Sequence, residues 1–145
     1  MICEIDNEIV GYTYAHYQHE RKAYQWNAEL SIYISEKYHG KKIAKYLYKC
    51  IIEILKEQGY YNLYSCITLP NDKSIGLHKA FGFSEIGVYK KTGNKFNKWY
   101  DVIWLVKNIH EYDENPKAPV SFDCINKEFI FNLFKNNSKL IEKSL

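Results

Sequence analysis

The chain has 145 residues, 46% of them hydrophobic, which is enough to build one compact core. Its 20 Lys and Arg residues against 17 Asp and Glu residues give a formal charge of +3 without any dense basic tract. The 14 tyrosines are not accompanied by a nucleic-acid-binding motif, so we expect no nucleic-acid partner. No stretch approaches the ~20 apolar residues of a membrane span, and the first six residues lack the basic and apolar pattern of a signal peptide. A cytoplasmic protein without a membrane partner is expected.

The four cysteines are far apart and form no Cys-x-x-Cys pair, so neither a structural zinc site nor a disulfide framework is predicted. We expect buried thiols in a reducing environment, and no metal.

The first half of the chain predicts a hairpin, a long strand and a long helix. Residues 2–5 and 9–17 are the arms of the hairpin, around a polar turn at residues 6–8. Residues 24–35 alternate between apolar and polar positions, which predicts a strand whose second face carries Glu29, Ser31 and Tyr33. Apolar residues then recur every three or four positions, which predicts a helix over residues 41–58 with Gly59 as its C-cap.

The second half predicts a strand over residues 60–69, a turn and helix cap at 70–72, and a short helix over 73–80. Two antiparallel strands follow at residues 83–91 and 99–107, around a turn at 92–94. We expect residues 1–110 to form the main domain and 111–145 an extension. One short amphipathic helix is predicted in that extension, with a mobile end from residue 136 onward.

The sharpest local feature is a strand followed by His39-Gly40-Lys41-Lys42-Ile43-Ala44 and the long helix. A helix N-terminus exposes unpaired N–H groups, and a glycine there lets an anion such as a pyrophosphate approach the backbone. This signal is weak by itself, because glycines before helices and lysines on solvated faces are both common.

Further motifs occur in a fixed order: residues 23–34, then 37–41, then Leu69-Pro70-Asn71, Leu77-His78, Phe81-Gly82-Phe83 and Trp99. Taken together, residues 2–107 resemble the phosphinothricin N-acetyltransferase family of the GNAT superfamily. The resemblance implies a mixed α/β fold whose central strands splay apart to admit the pantetheine arm of acetyl-CoA. It also implies a first strand and two helices before the opening hairpin, so we expect a fold that lacks those elements.

The resemblance implies two groups of binding residues. The acetyl-CoA site would use Ile32, Tyr33, Ile34, His39, Gly40, Lys41, Lys42, Ile43, Ala44, Lys45, Asn71 and Ala80. The substrate site would use Arg21, Tyr24, Lys95, Phe96 and Trp99, the last three contributed across a homodimer.

Two residues are predicted to carry the chemistry. Glu29 would serve as a base or orient a cationic amine, and His78 would act as an acid or base at a position where the superfamily often has a tyrosine. The alternatives are a half-buried surface glutamate and a packed core histidine.

Lys42 departs from the family's cofactor loop, which has a glycine at this position. If the position needs a positive φ, a side chain costs affinity; if φ is helical, the added charge helps binding.

The resulting hypothesis is an acetyl-CoA-dependent N-acetyltransferase acting on the primary amine of a small amino-acid-like molecule, of the phosphinothricin or methionine sulfone and sulfoximine type. The alternative is a non-catalytic acyl-CoA-binding or oligomerisation module of the same fold.

Overall fold

The computed structural model describes all 145 residues and contains one six-stranded mixed sheet with three helices. The strands are β1 (Ile2–Ile5), β2 (Glu8–Tyr17), β3 (Asn27–Ile34), β4 (Asn62–Thr68), β5 (Ser84–Lys95) and β6 (Lys98–Asn108). The helices are α1 (Ile43–Gln58), α2 (Asp72–Ala80) and α3 (Lys127–Glu142). The strand order is β1-β2-β3-β4-β6-β5, and only β3 and β4 pair in parallel. None of the helices has the length and apolar character needed to cross a bilayer.

The opening hairpin is confirmed. Asp6 and Asn7, between β1 and β2, have φ angles of 49° and 63°. Two successive residues with positive φ are typical of the type I′ turn, whose twist matches that of paired strands. Asn and Asp tolerate this conformation better than most residues do, so the local sequence favours this turn.

The strand β3 begins at Asn27, three residues later than the alternation predicts. Lys22–Tyr24 instead form one turn of 3₁₀ helix, closed by the bond from the Tyr24 N–H to the Arg21 carbonyl. The indole N–H of Trp26 donates to the carbonyl of Lys117, 2.8 Å away. This bond ties the segment before β3 to a part of the chain that is distant in sequence.

The hydrophobic core lies between the sheet and α1. Ile51, Ile52 and Leu55 of α1 pack against Ala28 and Leu30 of β3. Glu29, Ser31 and Tyr33 therefore point to the opposite face of the sheet, because side chains alternate along a strand.

The turn between β5 and β6 lies at Phe96–Asn97, not at residues 92–94 as the sequence suggested. Both turn residues have positive φ, again typical of a two-residue hairpin. The expected turn is a bulge instead: Lys91 has φ 49°, and its N–H donates to the Asp101 carboxylate at 2.9 Å. The ammonium of Lys90 and this N–H lower the pKa of the Asp101 carboxyl.

The C-terminal helix α3 is longer than predicted, because it continues through residues 136–142. Its N-cap is Asn126, whose side chain accepts hydrogen bonds from the N–H groups of Glu128 and Phe129. The Ser144 hydroxyl, beyond the end of α3, donates to the Lys41 carbonyl at 2.9 Å. The tail therefore reaches the start of α1. Its mobility remains a prediction.

Candidate active site

The central feature of the sheet is the parting of β3 and β4. These strands pair only from Asn27 to Glu29, opposite Asn62 to Tyr64. Beyond that point β3 continues to Ile34 and β4 to Thr68 without pairing to each other. The structure thus confirms the predicted splay, with its narrow end at Glu29 and its open end beside the start of α1.

Backbone directions along β3 show which groups face this gap. The carbonyl of Ser31 accepts from Thr13 of β2, and the N–H of Ser35 donates to Val10 of β2. Even-numbered residues therefore direct their backbone groups toward β4, as the 3.5 Å approach of the Ser65 hydroxyl to the Leu30 carbonyl also indicates.

Of the three predicted pantetheine-binding residues, Ile32 and Ile34 direct their backbone groups into the gap. Tyr33 is paired with Tyr12 of β2, so its backbone groups point away from the gap, and its contact with the cofactor stays a prediction. The gap offers backbone donors and acceptors in the alternation that an extended chain with amide groups requires.

The open end of the gap leads into the predicted anion site. Gly40 has φ 82°, and an added Cβ there would meet no atom within 4 Å, so the loop at Gly40 is open. The first bond of α1 runs from the Tyr46 N–H to the Lys42 carbonyl. The N–H groups of Ile43, Ala44 and Lys45 precede it and lack intrahelical partners, which suits a bound anion.

Lys42 is the N-cap of α1 and has φ 59° and ψ 3°. The position is therefore left-handed, the first of the two alternatives left open by the sequence. A residue with a Cβ is strained in this conformation by about 1–2 kcal/mol.

We expect Lys42→Gly to raise the free energy of unfolding by about 1 kcal/mol, because glycine adopts this backbone conformation without the steric cost. Urea denaturation measures the change. Lys42→Ala separates strain from charge, since it removes the ammonium but keeps the Cβ, and it should leave stability unchanged. Lys45→Gly, within α1, should destabilise by about 1 kcal/mol. If Lys42→Gly is no more stable than the parent protein, the backbone at Lys42 is not strained.

The other predicted cofactor residues have defined contacts. His39 Nε2 lies 3.1 Å from the Ile34 carbonyl, and Lys41 Nζ lies 3.0 Å from the Leu145 carbonyl. Ile43 is buried, so only its backbone is available to a ligand. Asn71 caps α2 by accepting from the Ser74 N–H at 3.1 Å, and Ala80 is the exposed last residue of α2.

Glu29 lies at the narrow end of the gap, half-buried, on the face turned away from α1. The Cys66 thiol of β4 is near it: burial first, and the Glu29 charge second, raise the pKa of this thiol. Glu29 makes no ion pair within the chain. Its carboxylate is therefore available to attract an ammonium group.

His78 is on the α1 side of the sheet and is 3% exposed. Its ring packs edge-on against Tyr48 and Phe83, at centroid distances of 5.0 and 5.3 Å. Burial lowers the pKa of the imidazole, and Nδ1 donates to the Ser74 carbonyl at 2.7 Å. These contacts favour the alternative in which His78 is a packed core residue. They also place His78 on the other side of the sheet from Glu29. A role in proton transfer stays a prediction.

The predicted substrate residues fall into two groups. Arg21 and Tyr24 belong to the β2–β3 connection, at the same end of the sheet as Glu29. On β6, the residue next to the narrow end of the gap is Val106, which pairs with Tyr64 of β4. Trp99 lies about 23 Å from Val106 along the same strand. Lys95 and Phe96 are farther out, at the hairpin tip, where Phe96 is 86% exposed. Within one chain these three residues do not meet Glu29.

Residues outside the predicted set also line the gap and its faces. The Tyr48 hydroxyl lies 3.1 Å from the Ser65 hydroxyl, inside the start of the splay, and burial raises the pKa of Tyr48. His16 of β2 pairs directly with Glu29. The sequence contained a signal for the position of His16, because the alternation of side chains along β2 places Tyr12, Tyr14 and His16 on one face. No cluster of His, Cys, Asp or Glu side chains suits a metal ion.

Known proteins share this architecture. Residues 1–104 match a family model described as an acetyltransferase (GNAT) domain. A phosphinothricin N-acetyltransferase of Streptomyces viridochromogenes is 30% identical over 102 residues, which are 70% of this chain and 56% of that protein. An L-methionine sulfoximine/L-methionine sulfone acetyltransferase of Pseudomonas paraeruginosa is 29% identical over 77% of this chain and 63% of that protein. The chain thus spans less than two thirds of the length of these relatives.

The structure is also similar to a crystal structure of a GNAT superfamily phosphinothricin acetyltransferase from Sinorhizobium meliloti in complex with acetyl-CoA. The TM-score is 0.75 at 29% identity, over 86% of this chain and 68% of that chain. The family model covers most of the chain, and the sheet has the parted central strands expected of the family. This protein therefore belongs to the GNAT acetyltransferases, as a phosphinothricin N-acetyltransferase-like member.

Proposed function

We propose that this protein transfers an acetyl group from acetyl-CoA to the primary amine of a small amino-acid-like substrate. The observation that carries the proposal is the gap between β3 and β4, which opens onto the left-handed loop at Gly40–Lys42 and the N-terminus of α1. Backbone groups of Ile32 and Ile34 line the gap, and the first N–H groups of α1 lie at its open end. These groups suit an extended amide chain that ends in a pyrophosphate.

Glu29 places a negative charge at the narrow end of the same gap. From Ile34 to Glu29 the strand measures about 16 Å, so a chain anchored at the open end reaches the carboxylate only when extended. The carboxylate would hold the ammonium group of the acceptor beside the thioester or take up its proton. Arg21, in the connection at this end, would pair with a carboxylate of the acceptor through its forked guanidinium.

The acceptor class rests on the relatives. Their names specify phosphinothricin and methionine sulfoximine or sulfone, all of which carry an α-amine and a carboxylate. We propose the same class for this chain. We further propose a homodimer in which the exposed Phe96 and Trp99 of one subunit meet the acceptor site of the other, because they lie far from Glu29 within a single chain. The four free thiols support a reducing cytoplasmic location.

A thiol-release assay tests the activity. Purified protein and acetyl-CoA are mixed with one acceptor in each of three reactions: L-phosphinothricin, L-methionine sulfoximine or L-methionine sulfone. We expect free CoA thiol to appear only when an amine is present, together with the N-acetyl product in the mass spectrum. The matched control is the N-acetylated form of each acceptor, which has no nucleophilic amine and should release no thiol.

The second candidate is a non-catalytic acyl-CoA-binding module, which the left-handed Lys42 and the buried His78 favour. Calorimetry distinguishes it from the enzyme. Binding of acetyl-CoA without thiol release from any acceptor would establish the binder and overturn the enzyme. Failure to bind acetyl-CoA would overturn both.

A further inference from the structure

His16 and Glu29 are cross-strand neighbours on the open face of the sheet. The β2–β3 register pairs them directly, and it pairs Ala15 with the buried Leu30 in the adjacent position. Because facing residues of an antiparallel pair share a face, His16 and Glu29 both point away from α1, with Cβ atoms about 5 Å apart. The imidazole therefore lies on the open face of the sheet, one strand away from the gap, next to the carboxylate that we propose holds the acceptor amine.

The imidazole of His16 is oriented by two contacts. Nδ1 lies 2.8 Å from the carbonyl oxygen of Tyr17, and the ring stacks on Tyr14 with a centroid distance of 6.2 Å and an interplanar angle of 28°. A carbonyl oxygen only accepts hydrogen bonds, so Nδ1 carries the proton in this contact. In the neutral ring, Nε2 then has a free lone pair. Since the side chain is exposed, Nε2 is accessible to a substrate.

Amine acetylation needs such a group, because an ammonium nitrogen has no lone pair with which to attack a thioester. His78 is buried on the other side of the sheet, and its Nδ1 is held by the Ser74 carbonyl. We propose that His16 Nε2 accepts the proton of the acceptor's ammonium group while Glu29 holds that group by its charge. This inference rests on the proposed acetyltransferase function and names the proton acceptor of its site.

One proton passes from the ammonium nitrogen to Nε2 and from there to solvent. The freed lone pair forms the C–N bond to the acetyl carbonyl carbon. Collapse of the tetrahedral adduct breaks the C–S bond, and sulfur leaves with the electron pair. A second proton of the attacking nitrogen ends on that sulfur, giving the amide and the CoA thiol.

The test compares His16→Ala with the parent protein, with acetyl-CoA as donor and L-methionine sulfone as acceptor. We expect kcat to fall about a hundredfold, within the usual range for loss of a proton-transfer group, and KM for acetyl-CoA to stay unchanged. Added imidazole should restore at least part of the lost kcat in His16→Ala, because it fills the vacated space with the same base. The matched control is His110→Ala, which removes a histidine whose Nε2 contacts the Lys56 carbonyl; it should keep full activity and show no response to imidazole.

Each outcome is decisive. Unchanged kcat in His16→Ala, or a lost kcat that imidazole does not restore, would overturn the assignment of His16 and leave the acetyltransferase function in place. Circular dichroism of His16→Ala confirms that the variant is folded before either conclusion is drawn. If the unsubstituted protein transfers no acetyl group to L-methionine sulfone or to the other acceptors, the proposed function fails and the role of His16 fails with it.

Discussion

Replacing Glu29 by glutamine is expected to lower kcat about a hundredfold or more, with KM for acetyl-CoA unchanged. The substitution keeps the size of the side chain but removes the charge that we propose holds the ammonium group at the narrow end of the gap. Steady-state kinetics over an acetyl-CoA concentration series measure both constants. Glu85→Gln is the matched control, because it makes the same change on the exposed part of β5, and it should retain full turnover.

The position of Glu29 can be checked without any activity. Its charge raises the pKa of the Cys66 thiol, after the larger effect of burial. Removing that charge lowers the pKa, so more thiolate is present at a given pH and alkylation is faster. Mass-spectrometric mapping after a pulse of iodoacetamide should therefore show faster modification of Cys66 in Glu29→Gln, while the exposed Cys124 is unaffected and serves as the internal reference. If Cys66 is alkylated at the same rate in the parent protein and in Glu29→Gln, the Glu29 carboxylate does not lie near this thiol.

Tyr48→Ala is expected to lower the free energy of unfolding by about 3–5 kcal/mol, the range for removing a large buried aromatic side chain. The side chain is 0% exposed, and its ring meets those of His78, Phe81 and Phe83 at centroid distances of 5.0 to 5.9 Å. It therefore joins α1 to α2 and to the chain entering β5. Denaturation in urea measures the loss.

Tyr48→Phe separates the ring from the hydroxyl. It keeps the aromatic contacts but leaves the Ser65 hydroxyl without its 3.1 Å partner, so the loss should be only about 1 kcal/mol. A Tyr48→Ala loss as small as that of Tyr48→Phe would contradict the packing of α2 on α1.

The strands and helices with complete local signals could be predicted from the sequence. The β1–β2 turn contains Asp6 and Asn7, which tolerate the left-handed conformation, and α1 has a strict apolar repeat that ends at Gly59. The β3 boundary could not be predicted, because Tyr24 and Trp26 continue the alternation. Lys22–Tyr24 instead form a 3₁₀ turn, and the Trp26 indole bonds to the carbonyl of Lys117, a residue distant in sequence.

The β5–β6 turn was misplaced for a similar reason. The Gly93-Asn94 pair is a strong local turn signal, yet Asp101 accepts from the Lys91 N–H across the strands and turns that segment into a bulge. The chain then continues to Phe96 and Asn97 before reversing. The contact with Asp101 on the partner strand, distant in sequence from Lys91, is absent from the local turn signal.

The candidate site was predictable as a region but not in its details. The order of strand, glycine loop and helix predicted an anion site at the start of α1, and the family resemblance supplied the splay of the central strands. The sequence left the φ of Lys42 open, since a backbone angle depends on how the loop closes onto α1. The burial of His78 depends on how α2 packs on α1, which a local sequence pattern does not show, and its role in proton transfer stays a prediction. His16 shares one face of β2 with Tyr12 and Tyr14, a pattern that the sequence already contained.

A crystal structure of this protein with acetyl-CoA tests the central claim most directly. We predict that the pantetheine arm lies between β3 and β4, bonded to the backbone of Ile32 and Ile34, with the pyrophosphate on the N–H groups at the start of α1 and the acetyl group at the Glu29 end. Acetyl-CoA bound outside the gap, or a gap closed by pairing of β3 with β4 beyond Glu29 and Tyr64, would contradict it.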